Sequence, residues 1–166
     1  MMNRRTFFLS GAAALFGAGA YGLLGASRSD AGQNGAFPLN LSDAEWRKRL
    51  TSDQYAILRK HATERAFTSP LNNEKRDGIF HCAGCEQALY SSKTKFDSGT
   101  GWPSFYEALP NAVGTSTDTS FFMTRTEVHC SNCGGHLGHI FDDGPKPTGK
   151  RHCINGIAMA FRPTNV

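Results

Sequence analysis

The sequence predicts a small, mainly β domain that opens with two short helices. Two observations predict the strands. Short runs such as Ile79-Phe80-His81, Leu89-Tyr90 and Arg151 to Phe161 carry aromatic and β-branched residues, and turn formers stand between them (Pro70, Asn72, Asn73, Asp77 and Gly78). A third predicts the helices. Ser42-Asp43-Ala44-Glu45 has capping-box spacing before Trp46 and Leu50. Thr51-Ser52-Asp53-Gln54 repeats it before Tyr55, Ile57 and Leu58. The Phe- and Thr-rich run from Ser120 to His129 adds another expected strand.

At 166 residues the chain suits one domain, and 39% hydrophobic residues suffice for a core. The formal charge is +4. Arg4, Arg5 and Arg28 against Asp30 account for half of it. The remainder is too weakly and too evenly charged for a nucleic-acid binder.

The first 31 residues read as an export signal. Arg4-Arg5 precedes an uncharged run from Phe7 to Leu24, and small residues follow, including Ala26, Ser27 and Ala31. The arginine pair points to the twin-arginine route and a bacterial periplasmic destination. A retained membrane anchor is the alternative, although glycine and alanine dilute the hydrophobicity of the run. Residues 32–41 are expected to form a flexible leader, and residues 42–166 the domain.

Five cysteines divide into two C-x-x-C turns, Cys82 with Cys85 and Cys130 with Cys133, and a lone Cys153. Two such turns supply four thiolates to one tetrahedral Zn²⁺ with no open position, which is a structural site. Forty-four residues separate the turns, so the ion would clamp distant parts of one domain. Two disulfides are the alternative in an oxidising compartment.

If Arg151 to Phe161 is one strand, then Arg151, Cys153, Asn155, Ile157 and Met159 share a face. A guanidinium two residues from a thiol favours the nucleophilic thiolate. A lone cysteine is also a common small core residue. His136-Leu137-Gly138-His139 follows the second knuckle with two imidazoles suited to proton transfer. Asp143 either orients one of them or starts a turn. The loop Asp97 to Phe105 carries Trp102 among glycines and a proline, as a wall for a small apolar group or as a cap on the core.

Together these segments resemble the B-type methionine sulfoxide reductases. The matching pieces are Thr63-Glu64-Arg65-Ala66-Phe67, Pro70-Leu71-Asn72-Asn73, Cys82-Ala83-Gly84-Cys85, the loop from Phe96 to Phe105, Cys133 to Pro145, and Arg151-His152-Cys153-Ile154-Asn155. The resemblance implies a fold of two antiparallel sheets with a structural zinc. It implies that Cys153 attacks the sulfur of methionine (R)-sulfoxide and becomes a sulfenic acid. It implies that Trp102 receives the methyl group, with Phe105 beside it. His136 and His139 would hydrogen-bond and protonate the sulfoxide oxygen. Arg151 would stabilise the thiolate, with Asn155 and Asp143 in support.

One departure matters. Many relatives carry a resolving cysteine where this chain has Thr100. The expectation is therefore no internal catalytic disulfide, and reduction by an external thioredoxin-like thiol donor acting on a monomer. Two other classes of function stay open on the residues alone: a zinc-ribbon binding module, and a redox sensor built on Cys153.

Overall fold

The computed structural model describes residues 37–164. The segment taken as an export signal and residues 32–36 of the leader lie outside the described residues. Residues 37–41 of the expected leader lie against the domain. The Phe37 ring meets His129 edge-on at 5.4 Å, and the Leu39 amide donates to the Asn132 carbonyl at 2.8 Å. An apolar residue at every other position of Phe37-Pro38-Leu39-Asn40-Leu41 gives this stretch a face to dock.

Two helices open the domain, α1 (Asp43–Arg49) and α2 (Ser52–Lys60). Both capping boxes form, Ser42 with Glu45 and Thr51 with Gln54. Each box satisfies amides that the first turn leaves unbonded. α2 ends at His61, whose backbone is left-handed at φ 55°.

Among the described residues nine strands follow: β1 (Gly78–Cys82), β2 (Ala88–Ser91), β3 (Lys95–Phe96), β4 (Ser104–Phe105), β5 (Val113–Asp118), β6 (Arg125–Cys130), β7 (His136–Phe141), β8 (Arg151–Ile154) and β9 (Met159–Pro163). They build two antiparallel sheets, one of order β2-β1-β9 and one of order β3-β4-β8-β7-β6-β5. Phe80 and Leu89 of the small sheet, Phe105, Val128, Leu137 and Ile154 of the large one, and Trp46 and Leu58 of the helices form one buried core. Each fully buried side chain of this size contributes roughly 1.5–3 kcal/mol.

Two expected strands are corrected. Ser120 to Phe122 is a 3₁₀ turn, and the strand begins only at Arg125. The final run breaks after Ile154. A 3₁₀ turn at Gly156–Ala158 carries the chain from β8 in the large sheet to β9 in the small one. The cause is Glu64, whose buried carboxylate accepts from the Gly156 and Ile157 amides at 2.6 and 3.3 Å. These amides are thus removed from any ladder. Gly156 is required there, since a Cβ would lie 1.8 Å from the Ser69 hydroxyl. Arg151 and Cys153 therefore share a face of β8, but Asn155, Ile157 and Met159 do not continue it.

Candidate active site and metal centre

Cys153 lies at the middle of the large sheet. In the ladder its Cα faces Ser104 on β4 and His139 on β7. His139 in turn faces Glu127 on β6, and Glu127 faces Ser116 on β5. Residues directly opposite in antiparallel strands project to the same side. The sheet thus sets thiol, imidazole and carboxylate in one row.

His136 joins the row through an irregularity. Residues three apart on a regular strand point to opposite faces. Here His129 pairs with His136 and Val128 with Gly138, so Leu137 is one residue extra on β7. This bulge returns His136 to the side of His139, and the two ring centroids lie 5.4 Å apart.

Each imidazole is held by an acid that sequence reasoning missed. Nδ1 of His136 bonds Glu127 Oε1 at 2.7 Å, and Nε2 of His139 bonds Asp118 Oδ2 at 2.8 Å. Burial raises the Glu127 carboxyl, but hydrogen bonds from His136, His61 and Ser116 outweigh it and hold the group far below the carboxylate range. The Ser120 amide and hydroxyl, then His139, hold Asp118 low as well. Both acids are anions, so each accepts a ring N–H. Burial lowers the His139 pKa, opposed in part by the bond to Asp118. His139 is then a neutral ring that donates from Nε2 and keeps Nδ1 as an acceptor. Neither acid has a motif of its own. They reach the histidines only through strand pairing across β5, β6 and β7.

Asp143 does not orient an imidazole. It binds the Arg151 guanidinium in a two-point clasp at 2.8 and 2.9 Å, and Arg151 lies over the Phe141 ring at 4.4 Å. Arg151 favours the Cys153 thiolate, but burial is the larger effect and pushes the thiol above its ordinary value. Asp143, paired with that guanidinium, adds a smaller push in the same direction as burial. Thr100 also bonds the sulfur, Oγ1 to Sγ at 4.0 Å. A hydroxyl chain of Ser104, Ser98 and Thr100 leads to it.

Trp102, half-buried, donates Nε1–H to the Glu64 carbonyl at 2.9 Å. The Glu64 amide in turn donates to Asn155 Oδ1 at 2.8 Å. Asn155 therefore ties the segment before the tryptophan loop to β7, where its Nδ2 donates to the Leu137 carbonyl. Trp102, His139, Cys153 and Asn155 line one cavity of about 130 Å³ together with Thr63, Arg125, Gly138 and Phe141. His136 lies instead on an adjoining cavity of about 600 Å³, which shares Thr63, Arg125 and His139 with the first. Phe105 does not take part. It is wholly buried and stacks on Tyr90 at 4.4 Å, because it faces the core side of β4, opposite to Ser104 and Cys153.

The four knuckle cysteines converge, with all sulfurs within 4.8 Å of one another. Sγ of Cys82 lies 3.8 Å from that of Cys133, and Sγ of Cys85 lies 3.5 Å from that of Cys130. A four-thiolate ion with bonds of about 2.3 Å requires sulfurs about 3.8 Å apart, so the set fits a tetrahedral metal site. All five cysteines are free thiols, and disulfide pairing of the knuckles is not adopted. Cys82 ends β1 of the small sheet and Cys130 ends β6 of the large one, so the site spans both sheets.

Residues 50–163 match the SelR domain family. The peptide methionine sulfoxide reductase MsrB of Agrobacterium fabrum is 55% identical over 126 residues, covering 75% of this chain and 93% of that protein. The namesake from Methanosarcina barkeri is 54% identical over 122 residues, covering 73% and 86%. The one from Leifsonia xyli is 52% identical over 136 residues, covering 81% and 97%.

The chain belongs to the B-type methionine sulfoxide reductases.

Among the described residues, this B-type reductase brings Cys153, His139, Trp102 and Asn155 to one cavity, with Arg151 against the thiol and His136 one cavity away. Glu64, Asp118, Arg125 and Glu127 are the additions that the fold supplies. The spacing of Glu64 from the tryptophan loop and from Gly156 carries no periodic signal, so only the folded chain reveals its role.

Proposed function

We propose that the protein is a peptide-methionine (R)-S-oxide reductase in which Cys153 is the nucleophile. The observation that carries this reading is the row that sets Cys153 opposite His139 with Trp102 on the same small cavity. A cavity of this size admits a methyl sulfoxide group at the end of a side chain.

The raised thiol of Cys153 and the neutral ring of His139 suggest the order of proton movement. A sulfoxide sulfur is a poor electrophile until its oxygen is protonated. His139 Nδ1 takes the thiol proton and delivers it to that oxygen, so thiolate and activated sulfoxide arise together. Asp118 steadies the transient imidazolium. Cys153 Sγ attacks the substrate sulfur, the S–O bond of the substrate breaks, and the oxygen ends on Cys153. The products are methionine and a sulfenic acid; the substrate sulfur gains two electrons and Cys153 loses two. His136 acts through water, from the adjoining cavity. Trp102 receives the methyl group, Arg151 draws the thiol toward its anion, and Asn155 and Asp143 position these groups.

The sulfenic acid is returned to the thiol by an external dithiol of the thioredoxin type, which becomes a disulfide and releases water. Thr100 in place of a resolving cysteine supports this route. Zinc is the proposed ion for Cys82, Cys85, Cys130 and Cys133. When bound it supplies a rigid link between sheets and no reactive position. The domain works as a monomer in the periplasm after export by the twin-arginine route. Lys-Lys in place of Arg4-Arg5 should retain the protein in the cytoplasm, as cell fractionation reads.

The test uses both sulfoxide epimers with a dithiol donor. Turnover of the R epimer alone is expected, and Cys153→Ser should reduce it to background with metal content unchanged. Turnover that survives in Cys153→Ser would sink the reading. A binding module or sensor predicts no sustained turnover in the first place.

A further inference from the structure

Beside the cavity of Cys153, three ligand groups meet that reduction of a sulfoxide does not need to bring together. We infer that His61, Glu127 and His136 form a second metal site, for a divalent transition-metal ion of the zinc, cobalt or nickel class, and that filling it inhibits the enzyme. Both imidazoles aim Nδ1 at the same atom. His136 Nδ1 lies 2.7 Å and His61 Nδ1 lies 3.1 Å from Glu127 Oε1. All three ligand atoms lie within 4.8 Å of one another, and the two rings are 4.9 Å apart. Two ligands at 2.0–2.2 Å on a tetrahedral ion stand roughly 3.3 Å apart, so small adjustments admit the ion. Two histidines and one carboxylate leave a position for water and suit this class of metal.

Two further observations favour a site over a simple hydrogen-bonded cluster. The first is the backbone of His61. A left-handed helix cap is the place of glycine, and φ 55° there costs a side-chain-bearing residue. This chain accepts that cost and directs an imidazole to Glu127. The second is access. The three groups line the cavity of about 600 Å³, and the His61 side chain is 51% exposed, so an ion and its waters can reach it. On binding, each imidazole gives up its Nδ1 proton, by loss to solvent or by transfer to Nε2, and the ion takes the freed lone pair.

Inhibition follows from the row of side chains and rests on the proposed proton role of His139. Glu127 faces His139 across β6 and β7, and the His136 ring lies 5.4 Å from it. A divalent charge at Glu127 disfavours imidazolium on His139 and immobilises His136.

Binding is measured apart from activity. Cys153→Ser protein, with its four-cysteine site filled, is titrated with Ni²⁺ in a calorimeter. One further equivalent is expected. His61→Gly in the same background should weaken it at least tenfold. Glycine tolerates the left-handed cap, so this variant keeps its fold, and His61→Asn serves as a second probe. No further equivalent, or an affinity undiminished in both His61 variants, overturns the site. With Cys153 present, Ni²⁺ should depress R-sulfoxide turnover, and His61→Gly should have ordinary turnover and resist the ion. Equal inhibition of both proteins overturns the inhibitory role. Should the reductase reading fail, the calorimetric result still decides the site.

Discussion

At the scale of single residues, the sulfur of Cys153 is under opposed influences. Burial pushes its pKa up, while Arg151 and the Thr100 hydroxyl pull it down. Loss of the guanidinium leaves burial less opposed, so the thiolate needs a higher pH. Arg151→Met should therefore move the rising limb of kcat/KM to higher pH. At neutral pH, turnover should fall on the order of tenfold, and the loss should shrink as pH rises. A pH–rate profile checks both. Thr100 offers a second prediction. Its Oγ1 is 4.0 Å from Sγ of Cys153, which brings a thiol at that position within reach of a disulfide. With substrate and no reductant, the native chain should stop at a sulfenic acid. Thr100→Cys should go on to an internal disulfide. Mass spectrometry of the oxidised proteins distinguishes the two.

At the scale of elements, the pairing of β7 with β8 brings the site together. Gly138 faces Ile154, and a Cβ on it would lie 2.0 Å from the Cys153 carbonyl oxygen. Backbone, not a flexible side chain, stands in the way. Gly138→Ala should prise the two strands apart, cost about 1–3 kcal/mol, and move Cys153 away from His139. A thermal melt should fall by several degrees while turnover drops more than the folded fraction does. The helices were legible as elements because a capping box is a local signal: Ser42 and Glu45 act within one turn. The final strand was not, because its break depends on Glu64, some ninety positions earlier in sequence. Periodicity in Arg151 to Phe161 cannot register a partner at that distance. The same holds for the bulge at Leu137, which only the register against β6 defines.

At the scale of the molecule, the four-cysteine site joins the end of β1 to the end of β6 and so ties the small sheet to the large one. A structural thiolate site of this type carries binding free energy on the order of 10 kcal/mol, and much of it is folding free energy. Cys85→Ser, or prolonged chelation, should lower the melting temperature sharply and abolish turnover by unfolding. Cys153→Ser should leave the melt nearly unchanged. Circular dichroism against temperature, with metal content measured in parallel, checks the contrast. Equal melts for Cys85→Ser and the native chain would deny the site its structural part.

The sequence by itself determined the chemical inventory. Knuckle spacing marks four thiols for one ion, and the odd cysteine follows from the count. The segments around Trp102, His136-His139 and Cys153 are contiguous, so their resemblance to a family is readable without coordinates. Tertiary structure alone decided which groups act on one another. It paired His139 with Asp118 and His136 with Glu127, turned Asp143 to Arg151, and buried Phe105. It also set burial against the Arg151 charge at the sulfur. Side-chain partnership across antiparallel strands depends on register, and the protonation of a buried group depends on everything packed around it. Neither is a property of neighbours along the chain.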